Sequence, residues 1–465
     1  MITCADKPWL ANYDTGVPPT LDYHRLSLPQ MFQNSVGRHP RNTALIYQGH
    51  HITYAELQVL VRTFAITLTT LGVKKGDVVG IWLPNTVPAV VAYYAALTMG
   101  AVVLMCNPHS SNQEMLQQMN DADARLLITQ DILAERAIGL RRETHIQTII
   151  HASLEDYLPS PLKWIFPLVA KKQGLSVKVP EHEGVYSWSV AMDLKGTPIP
   201  EPVIHPDEVA VYLSAGGPSG RTRGALLTHA NLTTMVQMYE AWLQLDKEKE
   251  RVLASPPIFR TLGMSAAMNL PIHMGWSTVL VPTPNPEKIL EAIRKFKPTM
   301  YMGGLEDNAL PKTDITTSKP LPPSAPCLPA KRFHRFKELT GISIIEGYSV
   351  TETTPQTHLP PFKGLKKAGS IGIPFPDTEV RIMDIETGTR ELGVGEQGEM
   401  WFRGPQISFG HLEGSNEDSP GNQEKWLKSG DIAWMDEDGY FYVVGRKKSL
   451  TLTSAGHIAP KKMAS

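Results

Sequence analysis

Two stretches of this 465-residue chain carry residue types suited to phosphate chemistry. Leu213 to Thr228 (LSAGGPSGRTRGALLT) sets four glycines, two serines and two arginines between apolar runs. Glycines let backbone N–H groups converge on an anion, Ser214 and Ser219 add hydroxyl donors, and Arg221 and Arg223 add charge. The runs Val209–Leu213 and Ala225–Leu227 read as strands, so the loop joins strand to strand. A Walker-type loop spaces two glycines four residues apart, follows them with Lys and Ser/Thr, and opens a helix, and neither condition holds here. A plain Gly/Ser turn without ligand is the alternative reading of these residues. The second stretch is Glu346-Gly347-Tyr348-Ser349-Val350-Thr351-Glu352, after a short expected strand Ile342–Ile345. An aromatic, hydroxyls and a carboxylate at a strand end match where parallel-sheet proteins bind ligands.

The elements that position these stretches follow from periodicity. Thr53 and Glu56 stand three apart before an apolar series at Leu57, Leu60, Val61, Phe64, Leu68 and Leu71, closed by Gly72. That predicts a capping box, an amphipathic helix and a C-terminal glycine. Strands are expected at Val78–Leu83, Ala101–Met105, Arg125–Thr129 and Thr148–His151, with helices from Thr86 and over Ile132–Leu140 between them. Alternating strands and helices mean a parallel sheet. Asn231 is expected to cap a helix through Met235, Met238 and Trp242. Leu253, Val279–Val281 and Thr299–Met302 read as a second sheet, with a helix over Pro286–Phe296. Residues 311–329 are proline-rich and read as a loop, and Phe333–Leu339 as helix. Short strands at Ser370–Ile373, Glu379–Met383, Gly398–Phe402 and Phe441–Val444 between Gly, Pro and Asp turns indicate an antiparallel sheet or barrel, with an exposed loop over 413–424.

The expected fold is therefore α/β, with two helix-flanked, largely parallel sheets and a smaller antiparallel β subdomain. The expected divisions are residues 1–205, 206–360 with the Gly-rich loop, 361–445, and a stub at 446–465. Composition bounds the partners: a net charge of −1 gives no basic field for nucleic acid. Three scattered cysteines without a CxxC pair suggest a reduced, cytoplasmic setting and no zinc site. The apolar run Val87–Met105 approaches membrane-spanning length, but Pro88 suits a helix start and Gly100 a stop, so helix then strand is the reading. Leu158–Lys172, with Trp164 and Phe166, is a candidate for peripheral membrane or acyl-chain contact, though its prolines favour a loop packed on the body.

Several pieces recur together in one family. Gly347 with Tyr348–Glu352, Gly430-Asp431, and Asp438-Gly439-Tyr440 running to Gly445-Arg446-Lys447-Lys448 resemble the adenylate-forming enzymes, and the Gly-rich loop with Leu227-Thr228-His229 and Asn231 resembles their phosphate loop. Lys7-Pro8-Trp9-Leu10, Leu158–Lys172 and Lys367–Asp377 resemble bacterial long-chain fatty acid–CoA ligases. The resemblance covers nearly the whole chain. It implies that a fatty carboxylate attacks the α-phosphate of ATP and that coenzyme A then takes the acyl group. It also implies that Gly216, Gly217, Ser219, Gly220 and Arg223 cradle phosphates, and that Tyr348 stacks on adenine with Ser349 beside it. Thr351 would contact the α-phosphate, Glu352 would hold Mg²⁺, and Asp431 would bind the ribose hydroxyls with Arg446 nearby.

The sequence departs from the family pattern at named positions. Ala215 and Pro218 stand where hydroxyl residues are usual, and Arg223 stands for a lysine. Pro218 removes a backbone donor, and losing one preorganised donor can cost about 10²–10³ in rate. Arg260 replaces a histidine beside the acyl and thiol channel, Ser349 replaces a glycine, and the segment from Gly303 to Leu328 is shorter. Ser449 replaces the hinge acid, and the sequence ends at Ser465, before the small C-terminal domain and its lysine. Impaired ligase activity is the expectation for this chain alone. Two other readings stay open: a non-catalytic relative that binds nucleotide or acyl ligand, and one half of a split enzyme with a separate C-terminal-domain partner.

Overall fold

In the computed structural model the described residues are 2–160, 177–196, 202–216, 222–245, 250–302, 347–408, 410–411, 426–447, 451–453 and 456–458. The first strands are β1 (Thr43–Tyr47), β2 (His50–Thr53), β3 (Val78–Trp82), β4 (Val102–Met105), β5 (Leu126–Gln130), β6 (Thr148–Ala152) and β7 (Val185–Ser187). They are followed by β8 (Val209–Gly216), β9 (Thr222–Thr228), β10 (Arg251–Ala254), β11 (Ser277–Leu280) and β12 (Met300–Met302). The last group is β13 (Tyr348–Ser349), β14 (Gln356–Leu359), β15 (Ile373–Pro374), β16 (Glu379–Met383), β17 (Gly398–Arg403), β18 (Gly410–His411), β19 (Leu427–Met435) and β20 (Phe441–Arg446).

Local signals act as chemistry dictates. Thr53 N–H donates to the Glu56 carboxylate at 2.8 Å while Glu56 N–H donates to Thr53 Oγ1 at 3.2 Å, opening the helix Tyr54–Thr70. The backbone bond to Thr53 holds the Glu56 carboxyl below its usual range. Leu57, Val61, Phe64 and Leu68 form the buried stripe of that helix, each contributing roughly 1.5–3 kcal/mol by burial. Gly72 ends it at φ +88°, where only glycine is unstrained. The apolar run from Val87 forms the helix Val87–Thr98, every residue of which is buried, followed by β4. A helix apolar on all sides belongs in a core, and here its neighbours are Leu28–Arg38, Tyr54–Thr70 and the sheet strands. Phe32 stacks on Tyr94 at 4.8 Å, and Tyr94 Oη donates to Asn269 Oδ1 at 2.9 Å. Among the described residues no helix is long and apolar enough to cross a membrane.

The strands assemble into two large sheets that do not follow chain order. One has the order β18-β9-β8-β4-β3-β5-β6-β7, with β3 to β8 pairing in parallel and β8–β9 an antiparallel hairpin. The other has the order β12-β10-β11-β1-β2, parallel apart from β2. The Gly-rich hairpin thus completes the sheet begun by β3, while the early β1 and β2 join the later one. Asn85, beyond β3, ties the two together: its Nδ2 donates to the carbonyls of Ala254 and Pro256 at 2.9 and 3.0 Å, and its Oδ1 accepts Ile258 N–H at 2.9 Å.

The antiparallel part is a sheet β16-β17-β19-β20 with a smaller one, β13-β14-β15. An N-terminal arm straps it to the body. Thr3 bridges Gly393, Ala5 N–H reaches Glu391 at 3.2 Å, and Trp9 packs edge-on to Phe441 at 5.8 Å. At Gly439, φ +79°, a Cβ would lie 2.4 Å from Trp9 N, so only glycine lets the arm close.

Two expectations need correction, and others fall outside the described residues. The Asn231 helix, His229–Leu243, is capped by Thr228, and Asn231 is the reciprocal member of the box at the third helical position. The strand expected at Ser370–Ile373 is only Ile373–Pro374, because Gly372 turns the chain at φ +91° against Leu359 and Pro360. Most of Leu158–Lys172, and the segments 311–329, Phe333–Leu339, Ile342–Ile345 and 413–424, lie outside the described residues.

Candidate active site

Strand β13 delivers Tyr348 and Ser349 opposite His358 and Gln356 of β14. Gly347 permits this, since a Cβ there would lie 2.5 Å from Gln356 Nε2 and 2.8 Å from His358 O. The Tyr348 ring is buried, tilted against Phe402 at 5.6 Å and edge-on to His358 at 6.3 Å. Its hydroxyl donates to Asp431 Oδ2 at 2.5 Å. Asp431 sits in β19 opposite Arg446 of β20, whose Nε donates to Asp431 Oδ1 at 3.0 Å. Burial first, then the Asp431 charge, pushes the Tyr348 phenol well above its ordinary value, so it stays a donor.

Asp431 is a carboxylate with only 7% of its side chain exposed, compensated by one hydroxyl and one guanidinium, while 73% of the Arg446 side chain is exposed. Each carboxylate oxygen keeps lone-pair capacity for a further donor, which is what a vicinal diol supplies. Behind it, Ser429 Oγ accepts Asp431 N–H at 3.0 Å. The chain thus presents an aromatic ring, a buried carboxylate and an exposed cation in one cluster, from residues 83 and 15 positions apart in sequence.

The hairpin forms the neighbouring wall. Its rungs pair Ser214 with Gly224, Ala215 with Arg223 and Gly216 with Thr222. Gly217, Ser219 and Gly220, expected in the cradle, lie outside the described residues, while Gly216 and Arg223 belong to the hairpin ladder. The turn Thr351–Thr353 packs against both hairpin strands, which brings Thr351 and Glu352 beside the Gly-rich segment. The Glu352 carbonyl accepts Ser408 N–H at 2.7 Å. Among the described residues no group of three or more His, Cys, Asp or Glu could hold a metal. A single carboxylate at the turn fits Mg²⁺ bound mainly through phosphates and water, as that ion usually is, and does not fit an all-protein cage.

Two participants escaped sequence reasoning. Glu399, in β17, has 7% of its side chain exposed; its Oε1 accepts Gly430 N–H at 3.2 Å and its Oε2 accepts Lys447 Nζ at 3.0 Å. It fixes the turn that carries Asp431, and its signal was a charged residue inside a buried strand pattern. His358 is fully buried, with Nδ1 sharing a hydrogen bond with Thr357 Oγ1 at 2.8 Å and Nε2 without a partner among the described residues. Burial lowers its pKa to about 3, so it is a neutral wall residue. Met264, Ala266 and Met268 are buried in a π-helical stretch, Gly263–Asn269, in the core rather than on an open wall. Arg260 is exposed.

The family described as "AMP-binding enzyme" matches residues 32–306 and 308–412. The chain belongs to the AMP-binding enzyme family. Of the cluster, Tyr348 lies inside the matched region, and Asp431 and Arg446 lie beyond its end. A long-chain-fatty-acid–CoA ligase of Bacillus subtilis (strain 168) is 32% identical over 99% of this chain and 83% of its own length. The Escherichia coli O157:H7 protein of the same name is 27% identical over 98% and 83%. Among solved structures, an anthranilate CoA ligase in complex with anthranoyl-AMP superposes with TM-score 0.81 at 20% identity, over 94% of this chain and 80% of that one. A long-chain-fatty-acid-CoA ligase from Archaeoglobus fulgidus gives 0.77 at 24% identity, over 93% and 86%. These likenesses establish the α/β fold with its parallel-rich sheets and small antiparallel sheet.

Proposed function

We propose that this AMP-binding enzyme is an acid–thiol ligase that activates a fatty carboxylic acid with ATP, giving an acyl-adenylate, pyrophosphate and then acyl-CoA. The observation that carries the reading is the buried Asp431 carboxylate, held by Tyr348 and Arg446 beside the hairpin wall, in a chain whose relatives are named for this reaction. Displacement at phosphorus needs positioning and charge neutralisation rather than covalent help. The ring of Tyr348 would face the adenine, and both oxygens of Asp431 would accept from the ribose hydroxyls. Backbone donors of Gly216, Gly217, Ser219 and Gly220, with Arg223, would receive the phosphates, and Thr351 the α-phosphate. Mg²⁺, held by Glu352 and the phosphates, would neutralise charge on the leaving pyrophosphate. A cytoplasmic setting and peripheral contact with a membrane through Leu158–Lys172 suit a fatty substrate and are part of the same proposal.

An ATP–pyrophosphate exchange assay with Mg²⁺ and medium- to long-chain fatty acids tests it. Exchange that depends on the acid is expected; no exchange above blank with every acid ends the reading. Pro218, which removes a donor from the cradle, favours a second reading, a relative that binds nucleotide without turnover. Calorimetry separates the two: binding of ATP or an acyl-AMP analogue without exchange supports the second, and no binding refutes both.

A further inference from the structure

We propose that Asn231 is the positioning residue that sets the Gly-rich hairpin in register with the Thr351–Thr354 turn, an inference that rests on the nucleotide-activating reading above. Asn231 lies three residues beyond β9, at the start of the helix His229–Leu243. Its Nδ2 donates to Pro405 O at 2.9 Å and to Ile407 O at 2.8 Å, and its Oδ1 accepts Thr228 N–H at 3.0 Å. Every hydrogen of the amide is used, and the neighbours fix its orientation, because two carbonyls face the nitrogen and one N–H faces the oxygen.

The segment clamped by Asn231 is the one that holds the turn. Gln406 O accepts Thr354 Oγ1 at 2.6 Å, and Ser408 N–H donates to Glu352 O at 2.7 Å. From the far side, Ser265 Oγ of the π-helical stretch donates to Thr354 O at 2.8 Å. The same segment continues into β18, whose Gly410 and His411 pair with Leu226 and Ala225 of β9. Pro405, Gln406, Ile407 and Ser408 therefore bridge the hairpin and the turn, with alternate groups bound to Asn231 and to residues 352–354. One amide near the hairpin sets where Thr351 and Glu352 stand against the phosphate cradle. Helix capping alone would not need Nδ2: Thr228 already supplies the cap through its hydroxyl, to Asn231 N–H at 3.0 Å.

Substitutions separate positioning from capping. Asn231→Asp keeps the acceptor for Thr228 N–H but turns a carboxylate oxygen toward two carbonyls; Thr228→Ala removes the hydroxyl cap and leaves the clamp. In ATP–pyrophosphate exchange, Asn231→Asp is expected to lower kcat about 10²-fold with the fatty acid KM within about twofold, the signature of misplaced reacting groups. Thr228→Ala should stay within about threefold of the native kcat, since only a terminal cap is lost. Thr354→Val cuts the same bridge from the other side and should lower kcat about tenfold with the same unchanged KM. It is the control should Asn231→Asp fold poorly. Calorimetry with a non-hydrolysable ATP analogue should read about tenfold weaker binding for Asn231→Asp without any turnover.

Native-like kcat and analogue binding in both Asn231→Asp and Thr354→Val overturn the proposal. Equal losses in Asn231→Asp and Thr228→Ala, tracking their melting temperatures, also overturn it. If the native chain neither exchanges nor binds the analogue, the functional reading itself fails and this one falls with it. Native exchange with an unaffected Asn231→Asp variant rejects the positioning role alone.

Discussion

The two walls of the site are built on opposite plans. On the antiparallel side, side chains hold side chains: Tyr348 and Arg446 both bind Asp431, while Lys447 binds Glu399, which in turn holds Gly430 N–H. On the hairpin side the anchoring groups are mostly backbone: the carbonyls of Pro405, Gln406 and Ile407 and the N–H of Ser408. Two buried carboxylates, each held by its own partners, make a preformed wall that loses heavily when one member is removed, since a buried group is then left unpaired. A wall of backbone groups tolerates side-chain exchange but depends on register and on how many donors the chain offers. That is why Ala215 is a mild departure from the family pattern and Pro218 a more serious one.

The contrast gives a ranked set of expectations. Asp431→Ala strikes the side-chain wall hardest, stranding the Tyr348 hydroxyl. A loss of about 10²–10³-fold in kcat/KM for ATP is expected in the exchange assay. A variant within threefold of native would show that the cluster is structural only. Gly347→Ala forces a Cβ to 2.5 Å from Gln356 Nε2 and 2.8 Å from His358 O, displacing Tyr348; a stability loss of about 1–3 kcal/mol by urea titration is expected, with weakened nucleotide binding. Gly72→Ala, with open space at φ +88°, carries only backbone strain of about 1 kcal/mol and serves as the comparison.

The pH response sharpens the same contrast. His358 is held near a pKa of about 3 by burial, against an ordinary 6.5. The unfolded chain binds a proton below pH 6.5 and the folded chain does not until about 3, so this group's stability is full above 6.5 and lost as pH falls through that window. Between pH 7 and 5 the loss is on the order of 2 kcal/mol, and His358→Phe should flatten the curve by that amount. An unchanged slope would mean that His358 is more solvated in solution than its burial indicates. On the hairpin wall the expected effect is a gain: Pro218→Thr restores one backbone donor and should raise exchange by up to about 10²-fold. No gain would place the limiting defect elsewhere.

Much of this was legible in the chain. The capping box at Thr53 and Glu56, the stop at Gly72, the all-apolar helix after Thr86, the hairpin around the glycines and the helix Pro286–Phe296 all rest on signals three or four residues long. Backbone geometry makes such neighbours touch whatever the rest of the molecule does. The sequence also placed Tyr348, Asp431 and Arg446 on one list through family resemblance. It did not say that they bond to one another. That contact joins β13 to β19 and β20 across residues far apart in the chain, and no spacing encodes it. The same holds for the membership of the sheets, where β1 pairs with β11 and the hairpin with β4. Asn231 shows the division most clearly: its sequence position marks a helix start, as Thr228 and the box confirm. Its clamp on Pro405 and Ile407 exists only because folding brings a segment 174–176 residues away within 3 Å of one side-chain amide. Local order follows from short-range sterics and hydrogen bonding, whereas the long-range contacts that shape the site arise only when the sheets pack.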